Sequence, residues 1–269
     1  FFKQKTAYEI MPSLVGSGDV YKRQISTIYA QFSFSGNTET RLAESSSGYY
    51  YNETLINTNL QYGAFTNWIQ LEYSDPPELG RRINGVRKMR LEYDNGPVKL
   101  KLGDLYEIWG RGLVLNSVDD QSIDRDTGIR GITLMYNNQT FSTQFIAGKT
   151  DISQSTINAL GFNNRTHNYH VSHNLYGLNI QKLLGNHDFG FSFLQGLEKH
   201  PVNTFPEDTL NLKNQLHSVS YSYMHSFFDF YTEYIMNRSY EFDEDRWSSH
   251  GIGTVSYTHL RAHETRHDL

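Results

Sequence analysis

A histidine motif near the C-terminal end is the first place where residue types and spacing could support chemistry. His263-Glu-Thr-Arg-His267 matches HExxH, in which two histidines one helical turn apart bind Zn²⁺ and the glutamate acts as a general base. His259 would add a third ligand one turn earlier. The motif occupies the last residues of the chain, where no scaffold holds it. We therefore predict that no zinc site forms there.

Both ends of the chain resemble translated sequencing-adapter read-through. The resemblance covers residues 1–24 and 255–269, and both matches are long. We therefore expect these segments to be artefacts that pack against nothing, and residues 25–254 to form the domain. Residues 25–30 either end a signal peptide that is cleaved after Ala30 or begin the first strand.

The remaining candidates for catalysis or metal binding are weak. His167, His170 and His173 are three residues apart, which on a strand turns successive side chains to opposite faces. The chain has no Cys, so thiolate metal sites and disulfides are excluded. His217-Ser218 and His225-Ser226 are adjacent pairs whose side chains diverge, unlike a nucleophile and its base. We predict no catalytic residue, no metal site, no cofactor and no enzymatic activity.

The segment 105–128 combines glycines with many charged residues. Gly110-Arg-Gly112 is only GxG and lacks the third glycine of a nucleotide site. If the segment bends into a lumen, its acidic residues, which include Glu107 and Asp126, would face a set of arginines together with the adjacent Asp104. Such a charged constriction selects solutes by sign. The candidate constriction residues are Arg81, Arg82, Arg87, Arg90, Arg111, Asp119, Asp120 and Asp124. The alternative is a solvated extracellular loop with scattered charges.

The composition indicates strands that have one apolar face and one face in contact with water. Hydrophobic residues make up 38% of the chain and the mean hydropathy is −0.58, yet there are 19 Tyr and 16 Phe. Disordered chains lack so many aromatic residues, whereas strands of a membrane barrel alternate apolar and polar positions. No apolar run approaches the length of a membrane-spanning helix. A net charge of −5 gives no reason to expect a nucleic-acid partner.

Period-two alternation recurs from Phe32 to Met236, and short and long connections alternate between the runs. Tight turns are predicted at Gly63-Ala64, Asn95-Gly96, Asn137-Asn138, Gly185-Asn186 and Ser226-Phe227. Long polar stretches cover 37–53, 74–85, 105–128, 149–169, 197–214 and 240–249. Barrels of the outer membrane have such short periplasmic turns and long extracellular loops. We predict an all-β, antiparallel up-and-down transmembrane β-barrel with about twelve strands present, truncated at its C-terminus.

Three of the turns are preceded by Leu-x-Tyr. Tyr62, Tyr93 and Tyr136 would then form an aromatic girdle at the inner membrane–water boundary. The alternative is ordinary cross-strand tyrosine in a soluble sheet. Alternation also predicts which side chains face lipid, namely Leu60, Leu91, Leu100, Leu134 and Leu178. It predicts that the lumen is lined by Gln61, Glu92, Lys99 and Lys101.

One motif carries a family resemblance. Gly103-Asp-Leu-Tyr-Glu-Ile-Trp-Gly-Arg-Gly-Leu-Val-Leu115, followed by Gly128-Ile-Arg-Gly131, resembles a pattern of outer-membrane barrels from Bacteroidetes-type bacteria. The resemblance spans roughly residues 31–150, and residues 116–127 depart from the pattern. That family has no known function, so the resemblance implies a barrel in the outer membrane of a Gram-negative bacterium and no activity.

Three functional hypotheses follow. The first is a porin-like channel for small polar solutes, with outer-membrane lipid as its surroundings. The second is a structural or surface-binding barrel without transport, whose protein partners the sequence does not identify. The third is a soluble β-sandwich that binds glycans through exposed tyrosines. An open, charged lumen would favour the first hypothesis over the second, and a continuous apolar outer band would exclude the third.

Overall fold

The computed structural model describes residues 32–44, 48, 50–77, 82–120, 125–157, 165–201, 209–241 and 246–260. All of them belong to the compact unit Gln31–Leu269. Within these ranges no helix is long and apolar enough to cross a membrane.

The described residues form sixteen strands. In chain order they are β1 (Phe32–Glu44), β2 (Tyr50–Tyr62), β3 (Phe65–Ser74), β4 (Asn84–Asn95), β5 (Val98–Leu105), β6 (Ile108–Trp109), β7 (Leu115–Asn116), β8 (Asp119–Asp120), β9 (Arg125–Asp126), β10 (Ile129–Asn137), β11 (Phe141–Ile157), β12 (Arg165–Leu184), β13 (His187–Pro201), β14 (Thr209–Met224), β15 (Phe228–Glu241) and β16 (Arg246–Leu260).

Twelve of the strands make one antiparallel sheet in the order β1-β2-β3-β4-β5-β10-β11-β12-β13-β14-β15-β16. The short strands β6–β9 form two separate pairs inside the connection between β5 and β10. The prediction of an all-β, up-and-down antiparallel fold with about twelve strands is therefore confirmed. The sheet is not closed, and β1 and β16 stand at its two edges.

The tight turns lie where the glycine signals predict them. Gly63 and Gly96 have φ values of 58° and 63°, in the left-handed region that two-residue hairpins need. The hairpin register fixes which residues share a face, because side chains alternate along a strand. We call the face that carries Leu134 the outer face and the face that carries Lys101 the inner face. The predicted grouping is confirmed, since all five leucines share the outer face and the four polar residues share the inner face.

The register is staggered across the sheet. A row of paired outer-face residues starts at Tyr62, the last residue of β2, and passes through Phe65, Tyr93 and Leu100. The same row reaches His217, seven residues before β14 ends at Met224. The strands are therefore tilted relative to the line of short turns. A sheet that curves towards a barrel requires this tilt.

The last strand crosses the domain boundary that the sequence analysis sets at residue 254. Residues 255–260 continue the alternation and pair with β15, from Val255 opposite Glu233 to Leu260 opposite Phe228. For these six residues the expectation of no packing is wrong, because their pattern suits a strand. Residues 1–24 and 261–269, with the HExxH motif's His263 and His267, lie outside the described residues.

Candidate functional site

The segment between β5 and β10 lies against the inner face of the sheet in its described residues, 106–120 and 125–128; we call these residues the inner segment. Its Trp109 is only 1% exposed, and the indole Nε1–H donates a 2.9 Å hydrogen bond to Gln144 Oε1 on β11. The inner segment therefore points inward, as one of the two sequence hypotheses expected. Trp109, Val114 and Leu115 are buried there, whereas Ile108 is 61% exposed.

An apolar surface on the inner face receives this tryptophan. Val114 and Leu115 of the inner segment pack with Trp109 into one buried cluster. The sheet contributes the residues that we call the apolar wall, which are Ile129, Ile146, Leu175, Leu194 and Ile235. A side chain at Gly177 of β12 would meet the Trp109 ring, since a Cβ there would lie 2.8 Å from Cζ3. Desolvation of these side chains favours the docked position of the segment.

A tight hairpin gives the inner segment its shape. Trp109 pairs with Leu115, and the Gly112 N–H donates to the Trp109 carbonyl oxygen at 3.0 Å. Gly110 and Gly112 have φ values of 60° and 82°, which residues other than glycine rarely adopt. The two glycines that the sequence analysis noted therefore allow a tight turn. The turn places Arg111 at the tip.

The inner segment touches strands that are far apart in the sheet. Asp119 contacts Lys88 on β4, and Arg111 contacts Glu233 on β15. These strands are seven steps apart in the sheet order, about 34 Å if the sheet were flat with strands ~4.8 Å apart. The small β6–β7 hairpin does not span that distance. The sheet therefore curves around the inner segment.

A buried ammonium group joins the acidic end of the inner segment to β4. Lys88, whose side chain is 3% exposed, has its Nζ 2.5 Å from Asp119 Oδ2 and 3.0 Å from Asp126 Oδ2. It also lies 4.9 Å from the centre of the Tyr106 ring. Two carboxylates and an aromatic face compensate the desolvation of this charge. Lys88 thus holds the segment at its acidic end.

Ionisation in this cluster follows from the same contacts. Burial alone would raise the pKa of Asp126, but the Lys88 charge, the Gly128 N–H and the Tyr106 hydroxyl together lower it below its ordinary value. Burial and the neighbouring Asp126 and Asp119 carboxylates raise the pKa of the Tyr106 phenol well above its usual range. Asp126 is therefore a carboxylate at neutral pH, and Tyr106 is a neutral hydrogen-bond donor.

A second ion pair holds the start of the inner segment. Lys101 on β5, predicted to face the lumen, has its Nζ 2.6 Å from Glu107 Oε1. Both side chains are mostly buried, with 16% and 10% exposure. The segment therefore carries negative charge that basic residues of β4 and β5 neutralise. No wall of unpaired acidic groups results in this part of the structure.

The tip of the inner segment docks on a buried glutamate. Glu233 is 1% exposed and accepts hydrogen bonds from Ser218 Oγ at 2.6 Å and Tyr231 OH at 2.5 Å. The Arg111 backbone N–H donates to Glu233 Oε2 at 3.4 Å, and its guanidinium lies 4.7 Å from the centre of the Tyr231 ring. A Cβ at Gly110 would lie 2.7 Å from Glu233 Oε1. The glycine therefore permits this contact.

The candidate constriction residues divide into groups. The candidates Arg87 and Asp119 contact each other at 3.4 Å. Arg87 also forms an ion pair with Glu72 at 2.9 Å. Asp120 pairs with Arg125 in the β8–β9 ladder. Arg82 makes an exposed 2.7 Å ion pair with Asp75 and is not part of the cluster. Arg81 and Asp124 lie outside the described residues.

Three side chains that hold the inner segment in place were not predicted from the sequence. Lys88, Trp109 and Glu233 were not among the candidates, although each is the most buried polar or aromatic group of its contact. The sequence does contain a signal for Glu233, because a carboxylate in the middle of a strand, on the face opposite the apolar residues, indicates a buried polar partner. Alternation placed it on the inner face, but its partner Arg111 lies 122 residues away in the chain.

A second inner surface lies nearer the short turns. We call it the polar wall, and its residues are Asn59, Gln61, Trp68, Arg90, Glu92 and Lys99. Arg90 lies 2.6 Å from Glu92 and 5.3 Å from the Trp68 ring centre. Lys99 bonds Asp94 at 3.0 Å and approaches Glu92 to 3.6 Å. Candidate Arg90 thus belongs to a ladder of alternating charge.

The tyrosines of the predicted girdle lie on the outer face beside the short turns. Tyr62 and Tyr136 are 60% and 39% exposed, and Tyr93 is half-buried. The Phe65 and Tyr93 rings are 5.0 Å apart, and those of Tyr136 and Phe141 are 6.4 Å apart. Further rings gather at the same end of the sheet, where Phe189 and Phe228 join His187, Tyr221, Tyr223 and His225.

The described histidines form no metal centre. Across the described ranges, no three His, Asp or Glu side chains are grouped to hold a metal ion. His173 lies 3.7 Å from Glu198 on the inner face. The side chains of His167 and His170 lie outside the described residues. His217 and His225 pack against neighbouring rings in tilted arrangements, with ring centres 5.0 Å from Phe193 and 5.3 Å from Phe228.

Comparison with protein families gives one match, a family of unknown function (DUF6029), over residues 19–260. The match covers most of the chain. The chain belongs to DUF6029. The match includes the inner segment and every strand of the sheet, and it extends past the region that carries the sequence resemblance. No curated protein matches the DUF6029 chain.

Solved structures similar to this DUF6029 chain include in-vitro folded OmpT, an outer membrane protein of Vibrio cholerae. Its trimer form is 11% identical, with 85% of this chain and 82% of that chain covered and a TM-score of 0.40. A second structure of in-vitro folded OmpT is 8% identical, with 84% and 79% covered and a TM-score of 0.43.

Proposed function

We propose that this DUF6029 chain is a non-enzymatic β-barrel protein of the outer membrane of a Gram-negative bacterium, and that its inner segment narrows a path for small polar solutes. The observation that carries the proposal is the separation of the two faces. Large exposed apolar side chains lie on the outer face of strands across the sheet. They include Phe34, Leu91, Ile132, Phe145, Phe191, Val219 and Ile252.

The inner face carries charged side chains that are paired or hydrogen-bonded. Lys88, Arg90, Glu92, Lys101 and Glu233 all point to it, and each has a partner of opposite charge or a hydrogen bond there. Water would not favour an exposed apolar face of this extent, whereas lipid would. Lipid also disfavours outward charges, at about 2–4 kcal/mol for Lys or Arg at the midplane. Aromatic rings beside the short turns suit the membrane–water interface.

The polar wall supports passage of solutes. Its side chains alternate in charge and are more exposed than those of the apolar wall, which the inner segment covers. A solute with hydrogen-bonding groups could exchange water for these side chains at little cost. The inner segment would then set the width of the path, because it crosses the inner face from β4 to β15.

The membrane assignment is tested by two neighbouring substitutions. Leu134 faces outward and is 47% exposed, whereas Met135 faces inward opposite Lys99. We expect Leu134→Arg to reduce insertion of the full chain into phosphatidylcholine vesicles, measured by protease protection, because Arg would enter lipid. Met135→Arg should insert nearly normally. Equal insertion of both variants would contradict the proposal.

Passage is tested by single-channel recording of the full chain in planar bilayers. We expect ion conductance that rises when the tip contact is weakened by Glu233→Gln, because the inner segment then leaves its position more often. A barrel without transport is the second candidate function, and the apolar cluster around Trp109 favours it. Inserted protein that never conducts, in either form, would establish that second function.

A further inference from the structure

The polar wall contains one aromatic side chain, Trp68 on β3, with hydrogen-bonding groups on both neighbouring strands. Asn59 on β2 and Arg90 on β4 are directly opposite it. Two residues nearer the short turns, Gln61 and Glu92 are opposite Thr66 in the same way. We call these six inner-face residues the indole patch: Asn59, Gln61, Thr66, Trp68, Arg90 and Glu92.

The amides of the indole patch are accessible for hydrogen bonding. Asn59 and Gln61 are exposed, and their side chains have no hydrogen-bond partner among the described residues. By contrast, Asn57 and Gln70, the next amides on the same face of β2 and β3, bond each other at 2.9 Å. The Trp68 ring lies under the Arg90 guanidinium, 5.3 Å from the ring centre, and is half-buried. The patch therefore combines an aromatic ring with two amides, each of which carries donors and an acceptor.

The charged side chains of the patch are matched with neighbours of opposite charge. Arg90 Nε lies 2.6 Å from Glu92 Oε1, and Lys99 approaches Glu92 to 3.6 Å. Lys101, opposite Glu92 on β5, lies 2.6 Å from Glu107. A bound ion would compete with these pairs, whereas a hydroxyl group can accept from a guanidinium or donate to a carboxylate without separating them. The charges therefore favour a neutral polar ligand.

The size and chemistry of the patch suit a sugar ring. The patch spans three neighbouring strands, about 10 Å, and two residues along each strand, about 7 Å. One face of a pyranose ring carries C–H groups that pack against an aromatic ring, and the hydroxyl groups at its edge need donors and acceptors. An apolar solute would instead remove water from Asn59 and Gln61 without replacing its hydrogen bonds.

We propose that the indole patch binds neutral pyranose saccharides. This inference rests on the proposed path for small polar solutes and names the class of solute that enters it. The Trp68 ring packs against the C–H face of the sugar, and the amides of Asn59 and Gln61 bond its hydroxyl groups. The Arg90–Glu92 pair stays intact and bonds further hydroxyl groups at the edge of the ring.

The test titrates D-glucose into the full chain in a phosphocholine detergent and measures binding by saturation-transfer NMR. Trp68→Leu keeps an apolar side chain but removes the flat ring, and Gln61→Ala removes an exposed amide. Gln181→Ala is the matched control, because Gln181 is an inner-face amide on β12 that lies between Ser142 and Gly190, with no indole beside it. We expect each patch variant to bind glucose about fivefold more weakly, and the control to bind as the unsubstituted chain does.

Several outcomes would overturn the inference. These are no glucose binding by the unsubstituted chain, unchanged affinity in both patch variants, an equal loss in the control, or equally tight binding of the anionic analogue D-glucuronate. Ion conductance in planar bilayers is recorded in parallel. Conductance without glucose binding would contradict this inference alone. Glucose binding by an inserted chain that never conducts would contradict the path and leave the saccharide site in place.

Discussion

The apolar wall and the polar wall share one face of one sheet but differ in what covers them. Ile146 and Leu194 of the apolar wall are 0% and 7% exposed, because Trp109 and its neighbours pack on them. Arg90 and Lys99 of the polar wall keep 25% and 34% of their side-chain surface exposed. The difference shows that alternation decides which face a residue occupies, whereas the inner segment decides how far that residue is buried.

Replacing the central tryptophan should have the largest effect on this contrast. Trp109→Ala should lower the free energy of unfolding by about 4 kcal/mol, because it leaves a cavity and removes the hydrogen bond to Gln144. Trp68→Ala in the polar wall should cost about 1 kcal/mol, since it loses mainly the contact with Arg90. Urea unfolding of the refolded chain measures both, and equal costs would remove the distinction between the walls.

Removal of the buried Lys88 ammonium group should have the second-largest effect on stability. Lys88→Met should lower the free energy of unfolding by about 3 kcal/mol, because Asp119 and Asp126 lose their common partner. Lys99→Met in the polar wall should cost about 0.5 kcal/mol, because water screens its pairs. The same urea titrations compare the two lysines. A cost below 1 kcal/mol for Lys88→Met would show that the cluster does not hold the segment.

The tip contact allows a comparison between two glycines of similar φ. Gly110→Ala should cost about 2 kcal/mol, because it adds a clash with Glu233 to the backbone strain. Gly96→Ala should cost about 1 kcal/mol, since nothing lies within 4 Å of its added Cβ. Tryptic cleavage after Arg111 should accelerate only in Gly110→Ala. Equal cleavage rates in both variants would argue against a docked tip.

Acid should produce the smallest effect. Because the folded pKa of Asp126 is lowered, its stabilising contribution is present above its ordinary unfolded pKa of about 4 and is lost as pH falls through the lowered folded value. We expect acrylamide quenching of Trp109, measured in a Trp68→Phe/Trp247→Phe background, to increase below about pH 4. Asp126→Asn should remove part of that pH dependence. Acrylamide quenching that does not change with pH would contradict a stabilising role of the Asp126 carboxylate.

The sequence predicted the sheet well because its signals are local. Alternation requires only neighbouring residues, and hairpins such as the one at Gly96 depend on backbone conformations that few residues adopt. The assignment of Leu134 and Lys101 to opposite faces of the sheet therefore followed from the alternation of side chains alone. Strand β16 continues past the predicted boundary at residue 254, because residues 255–260, although they resemble adapter sequence, can pair with β15.

By itself, the sequence determined the order of the strands and the two faces of the sheet. Only the tertiary structure decided that the segment folds inward and which groups it meets. Composition shows that Asp119 is charged but not that Lys88 lies beside it. Glu233 meets Arg111 across 122 residues of chain, a contact created by the curvature of the whole sheet. A local pattern cannot encode such a contact, because it arises only when all the strands have paired.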